Sequence, residues 1–419
     1  MGLVMFDVTE NDFRRGVDME IKGLLLVILV ALGGLSLFIQ FSKTDETTHR
    51  IVEYNLTEMY EEHKFEGEFQ RFDFWDLVTK EDIDRLRGNS SAGMLGEALY
   101  RAGIYTWTLY SFYAWDLVEK STPCPDNMSR EEFGELLEEI TPRYRELREE
   151  RERYLEKFRE LEANVSDPQA YALLAWLELQ LAYNNPDFNY DSYAGEYGFS
   201  EGVCKALLAI PEFYENYVFP YVEEGIAYIN ELNSGSSGGE ILSERTKLLL
   251  ENKIPVMERE ISRIYKNKQG RFEVLGARGG YYTNMSKNCS SAGLYSLALF
   301  YMSWAEGYLA VTEDPLAKVP MSTEYFPDIS AVRNEVYAEV LDLITELHSR
   351  DFRTLDPLLP EFLLYHIARM DYVELPKVVE KDSPFYSTWP PMVYLDYLDL
   401  LARTRGVRIL YEHLTSTEG

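Results

Sequence analysis

Ser129–Ala163, SREEFGELLEEITPRYRELREERERYLEKFRELEA, is the stretch from which the fold class of this chain is read. Ser129 with Glu132 three residues later forms a capping box, in which each side chain satisfies the other's backbone N–H. Thr141-Pro142 predicts a second helix start, because proline at the first helical position loses no hydrogen bond and has its φ already set. From there to about Ala163, Tyr144, Leu147, Tyr154, Phe158 and Leu161 fall on one helical face. Between them Arg148–Arg153, REERER, supplies a solvated face with i,i+4 pairing. Arg151 interrupts the apolar seam over about three heptads, so the helix is expected to pack on its own domain rather than in a coiled coil.

The same reading extends toward the C-terminus. Asp167-Pro168 opens QAYALLAWLELQLAY, and Ser200 opens another helix, expected to kink or break at Pro211 and Pro220. Residues 240–268 read as a helix bent near Pro255 and stopped by Gly270, with further helices near 291–312, 328–349, 357–371 and 390–404. The β signal is small: Arg271–Leu275 is expected to pair with Gly280–Thr283 through a turn at Gly276–Gly279. Ser90–Tyr100, SSAGMLGEALY, resembles Ser290–Phe300, SSAGLYSLALF, and Ser200–Leu208 echoes both. Small-residue helix starts look alike for physical reasons, with Ser as cap. The alternative is a duplicated unit, giving two related halves or a short solenoid.

Toward the N-terminus the pattern changes. Gly23–Phe41, GLLLVILVALGGLSLFIQF, carries no charge over nineteen residues, the length of a helix across a bilayer. It ends without the small-residue site of a cleaved signal, so it is read as a retained single-pass anchor. Arg14, Arg15 and Lys22 before it, against Lys43 and Arg50 after it, favour an inside N-terminus. The expected organisation is a short cytoplasmic segment (1–22), the anchor (23–41), a first α-helical exterior part (42–232), a flexible Asn-Ser-Gly linker (233–239) and a second α-helical part (240–419). The class is therefore all-α: one transmembrane helix followed by a multi-helix extracytoplasmic domain with minimal β. Ala292–Val311 is also apolar, but Glu306 and its serines and aromatics mark it as a core helix.

The net charge of −30 repels nucleic acid and anionic lipid headgroups. Hydrophobic content of 46% is too high for a disordered stalk. Six Asn-x-Ser/Thr sequons follow the anchor, at Asn55, Asn89, Asn127, Asn164, Asn284 and Asn288, as suits a glycosylated exterior domain. Scarce Gln beside abundant charge adds a hyperthermophile tendency, which with the sequons suggests an archaeal cell surface. Of the three cysteines, Cys204 lies in the apolar VCKALLAI and reads as a buried free thiol, while Cys124 and Cys289, read as loop residues with Pro or Ser neighbours, are the expected pair if any is bridged outside the cell.

Asp187, Asn189 and Asp191 place oxygen ligands at alternate positions of a loop, with Glu196 as a later carboxylate, a partial Ca²⁺ pattern. The competing reading is a polar turn bonded to its own backbone. Tyr183, Phe188, Tyr190, Tyr193, Tyr197 and Phe199 crowd the same loop, and Tyr281-Tyr282 is placed in a second one. Aromatic faces beside carboxylates suit a saccharide, with Asp187, Asp191 and Glu196 as weak catalytic candidates. The five histidines are scattered, and no zinc-hydrolase, nucleophile-elbow, P-loop or dinucleotide signature is found. No cofactor beyond Ca²⁺ is implied. The expected function is a binding or assembly module at the cell surface, held to the membrane through residues 23–41 and meeting a protein partner or a surface glycan. The alternative is a carbohydrate-binding or glycoside-processing domain.

Overall fold

The computed structural model describes residues 128–183, 204, 207–208, 211–212, 214–235, 239–267, 271–318, 326–350, 352, 354 and 390–416. Within them lie eight α-helices and no strand. They are α1 (Arg130–Glu162), α2 (Pro168–Tyr183), α3 (Phe219–Gly235), α4 (Leu242–Asn267), α5 (Arg271–Ser291), α6 (Tyr295–Glu313), α7 (Phe326–Ser349) and α8 (Pro390–Thr415), with a π turn at Tyr214–Val218 before α3. The all-α class stands. None of the described helices is long and apolar enough to cross a membrane. The anchor at 23–41 and the helix expected at 357–371 lie outside the described residues.

The capping box at Ser129 is formed, with the Glu132 amide donating to Ser129 Oγ at 3.2 Å and the Ser129 amide to Glu132 Oε2 at 2.7 Å. The second start expected at Thr141-Pro142 is corrected: Pro142 sits inside α1, which runs unbroken. Its face is exposed, so the carbonyl one turn back that loses its donor can be met by water. Thr141 adds a bond from its hydroxyl to the Leu137 carbonyl at 2.6 Å. Tyr144, Leu147, Tyr154 and Phe158 are buried as the periodicity requires. Arg151, the interruption in that seam, donates its Nε to the Leu181 carbonyl at 2.7 Å near the end of α2, where a cation suits the helix dipole. Asp167 caps α2 through the amides of Gln169 and Ala170 at 2.9 and 3.0 Å.

The expected β-pairing of 271–275 with 280–283 is also corrected, since both segments belong to α5. Tertiary packing overrides propensity here. α5 lies against α4 and α6, and its glycines are where they approach. A Cβ on Gly276 would stand 2.9 Å from Ile264 Cγ2, and one on Gly279 would stand 3.5 Å from Tyr308 Cβ. α5 ends in a Schellman motif. Gly293 has φ +80, its amide donates to Ser290 O at 3.2 Å, and the Leu294 amide donates to Cys289 O at 3.0 Å. Ser290 and Ser291, read as the cap of the next helix, therefore close the previous one; the Ser291 hydroxyl donates to Lys287 O.

α6 is the hub. It packs against α5, α8, α4 and α2, while α7 lies on α8 and both α1 and α3 on α2. Its closest crossing is with α8, where Gly307 faces Gly406. A Cβ on Gly307 would overlap the Ala402 carbonyl, and one on Gly406 would stand 2.9 Å from Trp304 Cα. One continuous apolar core runs from Phe133 in α1 to Leu414 in α8 and joins helices on both sides of 233–239. α3 extends to Gly235. Asn233 accepts from the Ser166 amide at 2.8 Å and donates to the Asn164 carbonyl at 3.0 Å, which ties the end of α3 to the α1–α2 corner.

Candidate functional site

Three polar centres and one exposed face surround α6. The first lies at its start. Leu294 in the cap position supplies no side-chain acceptor, so the first amides of α6 find theirs in other helices. Glu162, the last residue of α1, accepts from the Ser296 amide at 2.6 Å. Glu178 in α2 accepts from the Ser296 hydroxyl at 2.8 Å and the Leu297 amide at 3.1 Å. The two glutamates are 2% and 0% exposed, and among the described residues neither has an ion-pairing cation. Burial pushes the Glu162 carboxyl up to about 7, and burial with Glu162 beside it pushes Glu178 well above the carboxylate range. Cys289 nearby is raised to about 12 by burial and by Glu178.

The second centre lies in the later half of α6. Asp399 is buried between Arg278 Nη1 at 2.5 Å and Arg403 Nε at 3.0 Å, and the Tyr308 hydroxyl donates to it. Burial alone would raise the Asp399 carboxyl; the two guanidiniums outweigh it and hold the group below the ordinary range. Arg403 also lies over the Trp304 ring, 5.0 Å from its centre.

The third is a partly open rim where Lys253 of α4, Glu306 of α6 and His413 of α8 converge. Lys253 Nζ meets one Glu306 oxygen, and His413 Nε2 lies 3.0 Å from the other and 3.2 Å from Lys253 Nζ. Burial raises the Glu306 carboxyl, but His413 and Lys253 together lower it further. Arg245 closes the end of α8 by donating to the carbonyls of His413 and Ser416 at 2.8 and 2.9 Å.

The exposed face belongs to α4. Ile241, just before the helix, Leu248 and Val256 are 37%, 62% and 45% exposed. Their spacings of seven and eight residues keep them on one side. Arg259, Arg263 and Lys266 continue that side, all exposed. With six basic and four acidic residues, α4 carries a net charge of +2 in a chain of −30.

Of the residues singled out from sequence, Asp187, Asn189, Asp191, Glu196, Asn55, Asn89, Asn127 and Cys124 lie outside the described residues. Among the described residues no group of three or more His, Cys, Asp or Glu is placed to hold a metal ion. Asn164, Asn284 and Asn288 are all exposed. Tyr281-Tyr282, expected in a loop, are in α5; Tyr282 is core, edge-on to Trp304 at 4.9 Å and stacked on Tyr308 at 5.5 Å. The expected pairing of Cys124 with Cys289 is corrected: Cys289 is a free, buried thiol, whereas Cys204 is disulfide-bonded. Sequence spacing cannot show which thiol the packing of α5 encloses. The carboxyl pair went unread, although one signal was present: Glu178 is the only charged residue in Pro168–Tyr183. No protein-family model, curated protein or solved structure matches this chain.

Proposed function

We propose that this chain is a membrane-tethered helical module that works outside the cell by binding a protein partner through the exposed side of α4. The observation that carries the reading is the line Ile241, Leu248 and Val256, left open on a helix whose opposite side is fully engaged with α5 and α6. Leu248 at 62% exposure contributes nothing to the core and costs solvation, a pattern that association relieves. The exterior placement draws on the charge-free stretch 23–41, on the disulfide at Cys204, which suits an oxidising compartment, and on exposed sequon asparagines at 164, 284 and 288. The carbohydrate reading keeps its candidates, Asp187, Asp191 and Glu196, but has no observation among the described residues in its favour.

A photo-reactive amino acid in place of Leu248, in the full chain in its own cells, tests the binding face. One discrete adduct, lost with Val256→Glu while the melting temperature holds, supports the reading. A smear, or an adduct indifferent to Val256→Glu, removes it. Protease added to intact cells tests the placement independently, since an untouched helical body would contradict an exterior domain.

A further inference from the structure

The start of α6 carries an imbalance of donors and acceptors. Glu162 Oε1 and Glu178 Oε2 are used by Ser296 and Leu297, but Glu162 Oε2, Glu178 Oε1 and the Tyr171 hydroxyl are buried without a partner. Tyr171 is fully buried and stands beside Glu162 and Thr246 without a well-formed hydrogen bond to either. An ionised carboxylate is acceptor-only, so two of them here leave orphan oxygens and two uncompensated charges in the core. A single proton eases both faults: it cancels one of the two charges and turns one orphan oxygen into a donor.

Among the described groups around the pair, none is a buried cation. From α1 comes Arg159, exposed, with its Nε on the Ala292 carbonyl at 3.2 Å. From α2 comes Tyr171, from α4 Thr246, from α5 the Cys289 thiol, and from α6 the Ser296 and Leu297 donors. Arg159 lowers Glu178 in part, acting from the surface.

We propose that Glu162 and Glu178 hold one exchangeable proton between them in the folded protein at neutral pH, and that this proton seats the first turn of α6 on α1 and α2. Unfolded, both carboxyls ionise in the ordinary range. Between that range and the folded one the native state holds more protons, so stability falls as pH rises.

The test uses the full-length chain in uncharged detergent micelles. Wild type is expected to lose folded-to-unfolded ratio between about pH 5 and about pH 8, by at most about tenfold per unit for one proton. Glu178→Gln and Glu162→Gln, which mimic the protonated group, are expected to flatten that slope and to exceed wild type at the alkaline end. In wild type labelled with ¹³C-glutamate, the infrared band of a buried protonated carboxyl should be present near neutral pH. A slope unchanged in both variants, or no such band, overturns the proposal. If the variants do not fold, the wild-type infrared spectrum decides alone.

Discussion

At its first turn α6 meets Glu162 and Glu178, buried with no ion-pairing cation among the described residues; twelve residues on, Tyr308 of the same helix meets Asp399, enclosed by Arg278 and Arg403. The two centres are about 18 Å apart along one helix. Both lie in the core, and both accept hydrogen bonds from α6. They differ in what answers the negative charge. At Asp399 two guanidiniums do, and the carboxyl stays ionised to low pH. At the glutamate pair the answer is a helix N-terminus, equivalent to roughly half an elementary charge, and the carboxyls shift upward instead. Burial alone therefore does not fix a carboxyl's state; the partner does.

The largest effect expected from probing this difference is at the paired centre. Asp399→Ala leaves Arg278 and Arg403 buried without their anion and should cost about 3–5 kcal/mol in denaturant unfolding. A loss below about 1 kcal/mol would show that the triad is not the charge-locked centre its geometry implies.

The two tyrosines make a matched pair of smaller probes. Tyr308→Phe removes a donor to a charged carboxylate and should cost about 1.5–3 kcal/mol. Tyr171→Phe removes a hydroxyl that has no partner and should be neutral or slightly stabilising. Equal losses in the two variants would erase the contrast.

Glu178→Gln should stabilise by about 1–2 kcal/mol at alkaline pH and do little at pH near 5, because the wild-type site is then already protonated. The wild-type stability curve should itself peak on the mildly acidic side. Asp399, held low, contributes stability that is lost as pH falls through its folded value. The glutamate pair, held high, loses its contribution as pH climbs from about 4.5 toward about 7. Self-repulsion at a net charge of −30 bends the curve the same way, so the variant, not the curve alone, isolates the pair.

The smallest effect belongs to the rim. Lys253→Met disrupts a partly exposed Lys–Glu–His cluster and should cost about 0.5–1 kcal/mol, sensitive to salt as the interior centres are not. A loss as large as that of Asp399→Ala would move this cluster from the surface class to the buried one.

How much of this was legible depended on the reach of the interactions. Helix α1's buried face, the cap at Asp167 and the extent of α4 follow from local spacing, and the structure has them. Arg271–Thr283 misled because glycines there read as turns, whereas they make room for Ile264 and Tyr308, contributed by other helices. Glu162, beyond the solvated REERER stretch, carried no local signal and is buried against Ser296, 134 residues away. Glu306 was noted as an isolated charge in an apolar helix and Glu178 was an unread signal of the same kind, one that marks where a polar centre lies but not which residues complete it. Cys289 shows the same limit: its serine neighbours read as a loop, but they belong to α5 and the thiol is buried.

The crossing of Gly307 and Gly406 has a consequence for biosynthesis. The central helix cannot be fully covered until the segment that carries Gly406 has left the ribosome, because Gly307 packs directly on the backbone of Ala402 and Gly406. During translation the earlier helices must therefore wait with a greasy flank bare, so chaperone occupancy should persist until α8 emerges and drop abruptly afterward.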